Sequence, residues 1–473
     1  MGRATQRIAR DSRCVAACAS SLRPKSCAAR SNAILLLSWL RGETVPLRIL
    51  HVSDIHFNDN GWDDDLDQRT ELVRDVASYV EANGKLDAIL VGGDIAFGAE
   101  AIQYRVARAW IDELLVAAGG LGASDVWVVP GNHDVSWDVI RKSPIAQDFR
   151  QALSSCEVQD IDLVLQTRLA RDPNAAAVLA PLDAYNDFAA SFGCAVTAEA
   201  PMWSDDTLEV DGTVLRLTGM NSAITSYNDT ADPATLNLVV GTHQARLDRE
   251  PELIHLVMMH HPPDWLRDWD AIAPYLKRAH VVLFGHEHAY SSRQPDGVGA
   301  TVHVNAGAVA PERQAGGEHD PFLACYNVLT LAKADGGIDV LVQPRYWNKL
   351  TTRFAGHPAG DEQYFVADDP AGGALPPPTF DDSEVDEDPI AASPLVEESG
   401  GAPLEILPRE ARKDLRRIAV AFLQLPVTRR REIGRRLQVL DDEDLSIPDR
   451  ELWNIVLKRI RTQELIERLE EEL

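Results

Sequence analysis

Five short apolar runs along this chain each stop at residues able to hold a divalent cation. Leu47–Val52 is followed by Asp54 and His56, and Leu86–Val91 by Gly92-Gly93-Asp94. Val126–Val129 leads into Pro130-Gly131-Asn132-His133-Asp134, Leu256–Met259 into His260-His261, and Val281–Phe284 into Gly285-His286-Glu287-His288. Runs of this length, closed by turn residues, read as buried strands. Between the first three lie two stretches of helical spacing, Glu71–Asn83 and Ala101–Ala118. Alternating strand and helix is the grammar of βαβ units, and open α/β sheets build their sites at the carboxyl ends of strands.

The side chains at those ends share one chemistry. Divalent cations of hard or borderline character take carboxylate, amide oxygen and imidazole, and a shared carboxylate holds two of them about 3.5–4 Å apart. In extended chain, Asp54 and His56 would point to one side, as would His286 and His288. Gly92-Gly93 and Gly131 free the backbone to turn tightly before Asp94 and Asn132. One such block is a frequent accident, and a lone histidine beside a strand is usually a core residue. Five in order, each behind an apolar run, form a two-metal pattern.

Ser53-Asp54-Ile55-His56, Gly93-Asp94, Gly131-Asn132-His133-Asp134, His260-His261-Pro262-Pro263 and Gly285-His286-Glu287-His288 resemble the signature blocks of the calcineurin-like metallophosphoesterases. Asn221-Ser222, Asn305-Ala306-Gly307 and Tyr326-Asn327 agree with that family, and the resemblance covers about residues 47–350. It implies an α/β (α+β) four-layer sandwich of two mixed sheets flanked by helices, and the activity of a phosphoric ester hydrolase. It also implies one metal on Asp54, His56, Asp94 and His288, and a second on Asp94, Asn132, His260 and His286, with Asp94 bridging. Manganese, iron, zinc or nickel would suit such ligands. His260 matches the ligand position before the prolines, which leaves His261 beside the ligands or against substrate. His133 is implied as general acid or transition-state stabiliser, oriented by Asp134, while a hydroxide between the metals attacks phosphorus in line.

Departures from the family narrow the reading. Gly93-Asp94-Ile95-Ala96 lacks the Asp-Arg-Gly of Ser/Thr protein phosphatases, and Gly131-Asn132-His133-Asp134 ends in Asp where those enzymes carry Glu. His260-His261-Pro262-Pro263 is more similar to the cyclic-nucleotide and glycerophosphodiester phosphodiesterase branch. A small nucleotide-like diester is therefore the expected substrate. The alternative is a nuclease effector of a bacterial conflict system, and a third reading is a scaffold on a dead enzyme fold, which the complete ligand set opposes.

The 473 residues carry a formal charge of −27, which does not favour a protein built to wrap DNA and leaves nucleic acid only as a substrate. Much of that acidity falls between 361 and 408, with thirteen Asp or Glu and no Lys or Arg. This stretch, rich in Pro and Gly with few large apolar groups, predicts a linker over 361–403. Residues 1–45, with several arginines, predict a disordered tail or a wrongly assigned start. The catalytic unit is expected over 46–360, with a helical insert at about 138–200. Cys14, Cys18, Cys27, Cys156, Cys194 and Cys325 include no CxxC pair, so a reduced, cytoplasmic chain is expected. No apolar run approaches the length of about 18 residues that spans a membrane.

After the linker, Leu415, Ile418, Ala419, Phe422 and Leu423 share one helical face, and three further helical patterns follow to Leu473. Residues 404–473 are thus expected to form a small all-α bundle. Leu425-Pro426-Val427-Thr428-Arg429-Arg430-Arg431-Glu432-Ile433 and the helix around Trp453 resemble the death-like effector-associated adaptor domains of bacterial signalling systems. That implies recruitment of a partner protein by this unit.

Overall fold

In the computed structural model the described residues are 45–58, 66–227 without 171 and 173, 238–311 without 249 and 251, 322–372 without 359, and 408–473 without 448. The expected N-terminal tail and most of the expected linker lie outside them.

Strand β1 (Leu47–Val52) is buried along nearly its whole length, as a strand paired on both sides must be. It lies parallel to β2 (Ala88–Val91), which lies parallel to β3 (Val126–Val128). On its other side β1 runs antiparallel to β10 (Cys325–Ala334), followed by β11 (Gly337–Asn348) and β12 (Arg353–Gly356). Helices α1 (Leu66–Asn83) and α2 (Ala101–Ala117) connect the first three strands. A further strand, β13 (Glu362–Ala367), pairs with β11 along Gly337–Val342. The linker therefore starts later than its composition suggested. Tyr364, Phe365 and Val366 are a short apolar run that the surrounding Asp and Glu masked.

The second sheet has the order β4 (Trp203–Val210), β5 (Thr213–Gly219), β6 (Ile254–Met258), β7 (Val281–Phe284), β9 (Val302–Ala306) and β8 (Tyr290–Arg293). Strands β10 to β13 pair antiparallel, whereas β5, β6, β7 and β9 are parallel to one another. The segment from β6 to β7 carries helix α9 (Trp269–Leu276), which permits a parallel return. Leu256 and Met258 of β6 face the core shared with β1 and β2. Val257 and Met259 face a second core with Ile272 and Leu276 of α9. Two mixed sheets flanked by helices are thus the architecture expected.

Between β3 and β4 come short helices, α3 (Trp137–Lys142), α4 (Pro144–Ser155), α5 (Ile161–Leu165), α6 (Ala175–Leu179) and α7 (Asp183–Ala189). The four-residue α8 (Thr242–Ala245) follows β5. At the C-terminus α10 (Arg409–Gln424), α11 (Val427–Arg436), α12 (Asp449–Thr462) and α13 (Ile466–Glu472) enclose a separate core of Ile418, Phe422, Ile433, Leu437, Trp453, Val456 and Ile460.

This unit is not merely appended. Along α10, Arg412, Arg416 and Val420 recur at the i, i+4, i+8 spacing of one helical face, which turns away from the bundle core. Arg416 donates to the carbonyls of Ser124 (2.7 Å), Val126 (2.9 Å) and Phe192 (2.8 Å), pairs with Asp205 at 3.0 Å and lies 4.3 Å over the Trp127 ring. Arg412 pairs with Glu209, and Gln424 donates to Ser191 O at 3.1 Å. α10 thereby covers the outer edge of β3, whose free carbonyl at Val126 would otherwise face solvent. Among the described residues, no helix is long and apolar enough to cross a membrane.

Candidate metal centre

β1, β2 and β3 of one sheet and β6 and β7 of the other deliver their carboxyl ends to one place. The loops after β1 and β2 are zipped together: Asp54 N donates to Gly93 O, His56 N to Asp94 O and Phe57 N to Ile95 O, each at 3.0 Å. The residues there are not extended, as the sequence reading supposed. Asp54, His56, Asp94, His286 and His288 all have positive φ, between 50° and 70°. Left-handed backbone at five non-glycine residues is costly and is tolerated where surrounding bonds fix it, typically at functional sites.

Glycine permits the closest approaches. A Cβ on Gly131 would lie 2.1 Å from Asp94 Oδ1, and one on Gly93, whose φ is +101°, would lie 2.6 Å from His260 Nδ1.

Asp54, His56 and His288 form one group. His288 Nε2 lies 3.3 Å from Asp54 Oδ1 and 3.4 Å from His56 Nε2. Asp94 belongs to two further groups, with His56 and His133 and with Asp54 and His260, which places it between the two halves of the site. Its Oδ1 accepts from His133 N at 2.8 Å, and its Oδ2 is 3.2 Å from His260 Nε2. A fourth group joins His260, His261 and His286. His261, left open between neighbour and substrate contact, therefore sits directly among the ring nitrogens.

The site's polar atoms are buried and under-used. His260 Nδ1 donates to Gly92 O at 2.8 Å, which directs Nε2 inward. Asn132 Oδ1 and the Nε2 atoms of His261 and His286 make no hydrogen bond among the described residues. Orphaned acceptors at such depth are costly unless something else satisfies them. Burial opposes charge on Asp94, yet the fields of His260 and His133 outweigh it and hold the carboxyl well below its usual range. Burial likewise opposes a proton on His260, but Asp94 raises that imidazole to about 9. A cation would take that proton's place, since imidazole ligands bind metal in the neutral form. The donor set of carboxylates, imidazoles and one amide oxygen fits divalent metal ions.

His133 adjoins the group, with its ring centroid 4.7 Å from that of His56. The sequence reading had Asp134 orienting it. The partner of His133 Nδ1 is instead the Phe97 carbonyl oxygen at 2.7 Å. Asp134 accepts from Ile95 N (3.2 Å), Ala96 N (3.1 Å), Gly131 N (2.9 Å) and Tyr104 OH (2.8 Å), and so braces the two loops that carry Asp94 and Asn132. Sequence reasoning also missed Trp265, whose ring meets His286 edge-on at 4.0 Å, and Glu287, which accepts from Asn305 Nδ2 at 2.7 Å. Glu287 had a signal, since it stands between two ligand-type histidines. Trp265 had none.

The family model of calcineurin-like phosphoesterases matches residues 47–290, just over half of the chain. The chain belongs to the calcineurin-like phosphoesterase family. No curated protein matches the sequence. Among solved structures it is similar to a dimetal phosphatase from Danio rerio, at 10% identity over 68% of this chain and 99% of that one, with a TM-score of 0.36. A predicted phosphoesterase from Streptococcus pneumoniae matches at 10% identity over 68% and 98%, TM-score 0.28. The sulfate thiohydrolase SoxB of Thermus thermophilus matches at 14% identity over 70% of this chain and 58% of its own, TM-score 0.31. As a calcineurin-like phosphoesterase with buried ligand clusters, the protein has the equipment for metal-dependent phosphoester hydrolysis.

Proposed function

We propose that this protein is a two-metal phosphodiesterase acting on a small nucleotide-like diester. One observation carries the reading: Asp94 stands in one group with His56 and His133 and in another with Asp54 and His260, and so lies between the two halves of the site, beside orphaned acceptors on Asn132 and His286. Asp54, His56, Asp94 and His288 would hold one cation, and Asp94, Asn132, His260 and His286 the other, with His261 beside them. Bound there, divalent cations supply Lewis-acid charge to phosphoryl oxygens and make a nucleophile available from water near neutral pH.

The chain's own residues do the rest. A carbonyl only accepts, so the Phe97 bond keeps a proton on His133 Nδ1 and leaves Nε2 to carry or release the proton for the departing alkoxide. Asp134 holds the loops that fix Asp94 and Asn132. The diester reading is supported by His260-His261-Pro262-Pro263, which resembles the phosphodiesterase branch of the family. Should the C-terminal helices recruit a partner protein, they would do so by the faces of α11 and α13, since the Arg412–Arg416–Val420 side of α10 is taken.

The test is a hydrolysis screen with Mn²⁺ on bis-p-nitrophenyl phosphate, cyclic nucleotides, and single- and double-stranded nucleic acid, run with two variants. Asp94→Asn should lose most metal by elemental analysis and all turnover. His133→Ala should keep its metal while turnover falls by about 10²-fold or more. Full metal and normal turnover in Asp94→Asn would remove the bridge, and loss of metal in His133→Ala would make His133 a ligand. Preference for long nucleic acid over small diesters would favour the nuclease alternative.

A further inference from the structure

Next to the clustered histidines the chain exposes an aromatic ring that the reaction so far described leaves idle. We propose that Phe97 is a stacking platform for an aromatic ring, above all a nucleobase, on the ester group of the substrate that does not leave. This deepens the phosphodiesterase reading and rests on it.

Phe97 is 46% exposed, whereas its neighbours Ile95 and Ala96 are fully buried and Phe57 is 3% exposed. An exposed phenylalanine in a loop whose other apolar side chains are inside is an unspent apolar surface. Its position is fixed from the backbone: Phe97 N donates to Phe57 O at 2.9 Å, and Phe97 O holds His133 Nδ1 at 2.7 Å. The backbone that carries the ring is thus held before any ligand arrives, which lowers the entropy cost of stacking on it. Its centroid is 5.4 Å from His133, tilted by 36°, and 6.2 Å from His56. Trp137 stands on His133 as well, with centroids 6.2 Å apart. A phosphate beside His133 and His56 therefore has this aromatic flank within reach of one ester group. Stacking tolerates any base, because every base offers a π-face, so the site would select for a base without reading which one.

The experiment compares two diesters with one leaving group, thymidine 5′-(p-nitrophenyl phosphate) and methyl p-nitrophenyl phosphate, on the Mn²⁺-loaded full chain. Wild type should prefer the thymidine ester in kcat/KM by about tenfold or more, the size of one base–aromatic stack. Phe97→Tyr should keep that preference, and Phe97→Leu, of similar bulk but without a ring, should bring the ratio near one. Thymidine 5′-monophosphate should inhibit wild type about tenfold more tightly than methyl phosphate, a reading that needs no variant to fold. Equal rates and equal inhibition by the two members of each pair, or a preference that survives in Phe97→Leu, would overturn the platform alone. Wild type that hydrolyses neither ester would sink the phosphodiesterase reading and the platform with it.

Discussion

Both oxygens of Asp134 are spent on donors that belong to the scaffold, Oδ1 on Ala96 N and Tyr104 OH and Oδ2 on Ile95 N and Gly131 N. Burial and the Asp94 charge push this carboxyl up to about 6, while the donors pull it down. Asp134→Asn would turn an NH2 toward donors that need an acceptor, a cost of about 1–3 kcal/mol for each group left unsatisfied. The two loops it braces carry Asp94 and Asn132. The expected result is a lower melting temperature and reduced metal occupancy, with turnover falling in proportion to metal. A residue that only oriented His133 would give the opposite pattern, full metal and a His133→Ala-like loss of rate. Elemental analysis beside steady-state rates separates the two.

At the scale of elements, β7 is preceded by a histidine that works against acid. His280 is 2% exposed, and its Nδ1 accepts from His255 N at 3.2 Å, a bond that protonation there would remove. Burial, helped by the positive field of His255 and of Lys333 and opposed by Asp368, lowers His280 to about 3. In the unfolded chain it would titrate near 6.5. Between pH 6.5 and 3 the unfolded state therefore binds the extra proton, and stability drains as pH falls through that window. His280→Asn keeps an acceptor near the position of Nδ1 without titrating. Urea unfolding at pH 7, 5.5 and 4.5 should give the variant a shallower acid limb, by up to about 1.4 kcal/mol per pH unit. Parallel limbs would mean that His280 is not held neutral in the fold.

Elements also show what could be read from sequence. The strands that carry Asp54, Asp94, Asn132, His260 and His286 were legible because an apolar run and a ligand-type residue at its end are both local signals. β13 was not, since its pairing with β11 is worth more than the acidic composition around it suggests. The socket of Arg416 was invisible for a different reason. Its partner Asp205 lies 211 residues away, and nothing in the spacing of α10 distinguishes an arginine facing protein from one facing water. Phe97 O as the partner of His133 was equally out of reach, because a backbone carbonyl carries no sequence mark.

For the whole molecule the question is whether the helical unit is a tethered adaptor or part of one body. Composition argued for the tether, and a chain of 46–360 was expected to suffice. Such a chain would lack β13, and it would uncover the Trp127 ring, the Asp205 carboxylate and the carbonyls of Ser124, Val126 and Phe192. The contact is a polar clasp rather than a shared core. Val420 is buried against Gly193, while a cavity of about 650 Å³ stays open nearby, lined by Ser191, Arg430 and Trp453 among others. Interfaces of this kind, polar and modest in size, open when one anchor is lost. Removing one partner of a buried ion pair costs about 3–5 kcal/mol, because the other charge stays behind unpaired. The decisive measurement places a specific protease site between residues 373 and 407 of the full chain and follows the pieces after cleavage. In wild type they should co-elute in gel filtration and melt as one, since the Arg412–Arg416 face of α10 keeps them clasped. In Arg416→Ala the same cut should let them separate, with each piece still folded by circular dichroism. Wild-type pieces that part at micromolar concentration would show that Arg416 is no anchor in solution. The C-terminal helices would then be the free recruitment module that their sequence resembles.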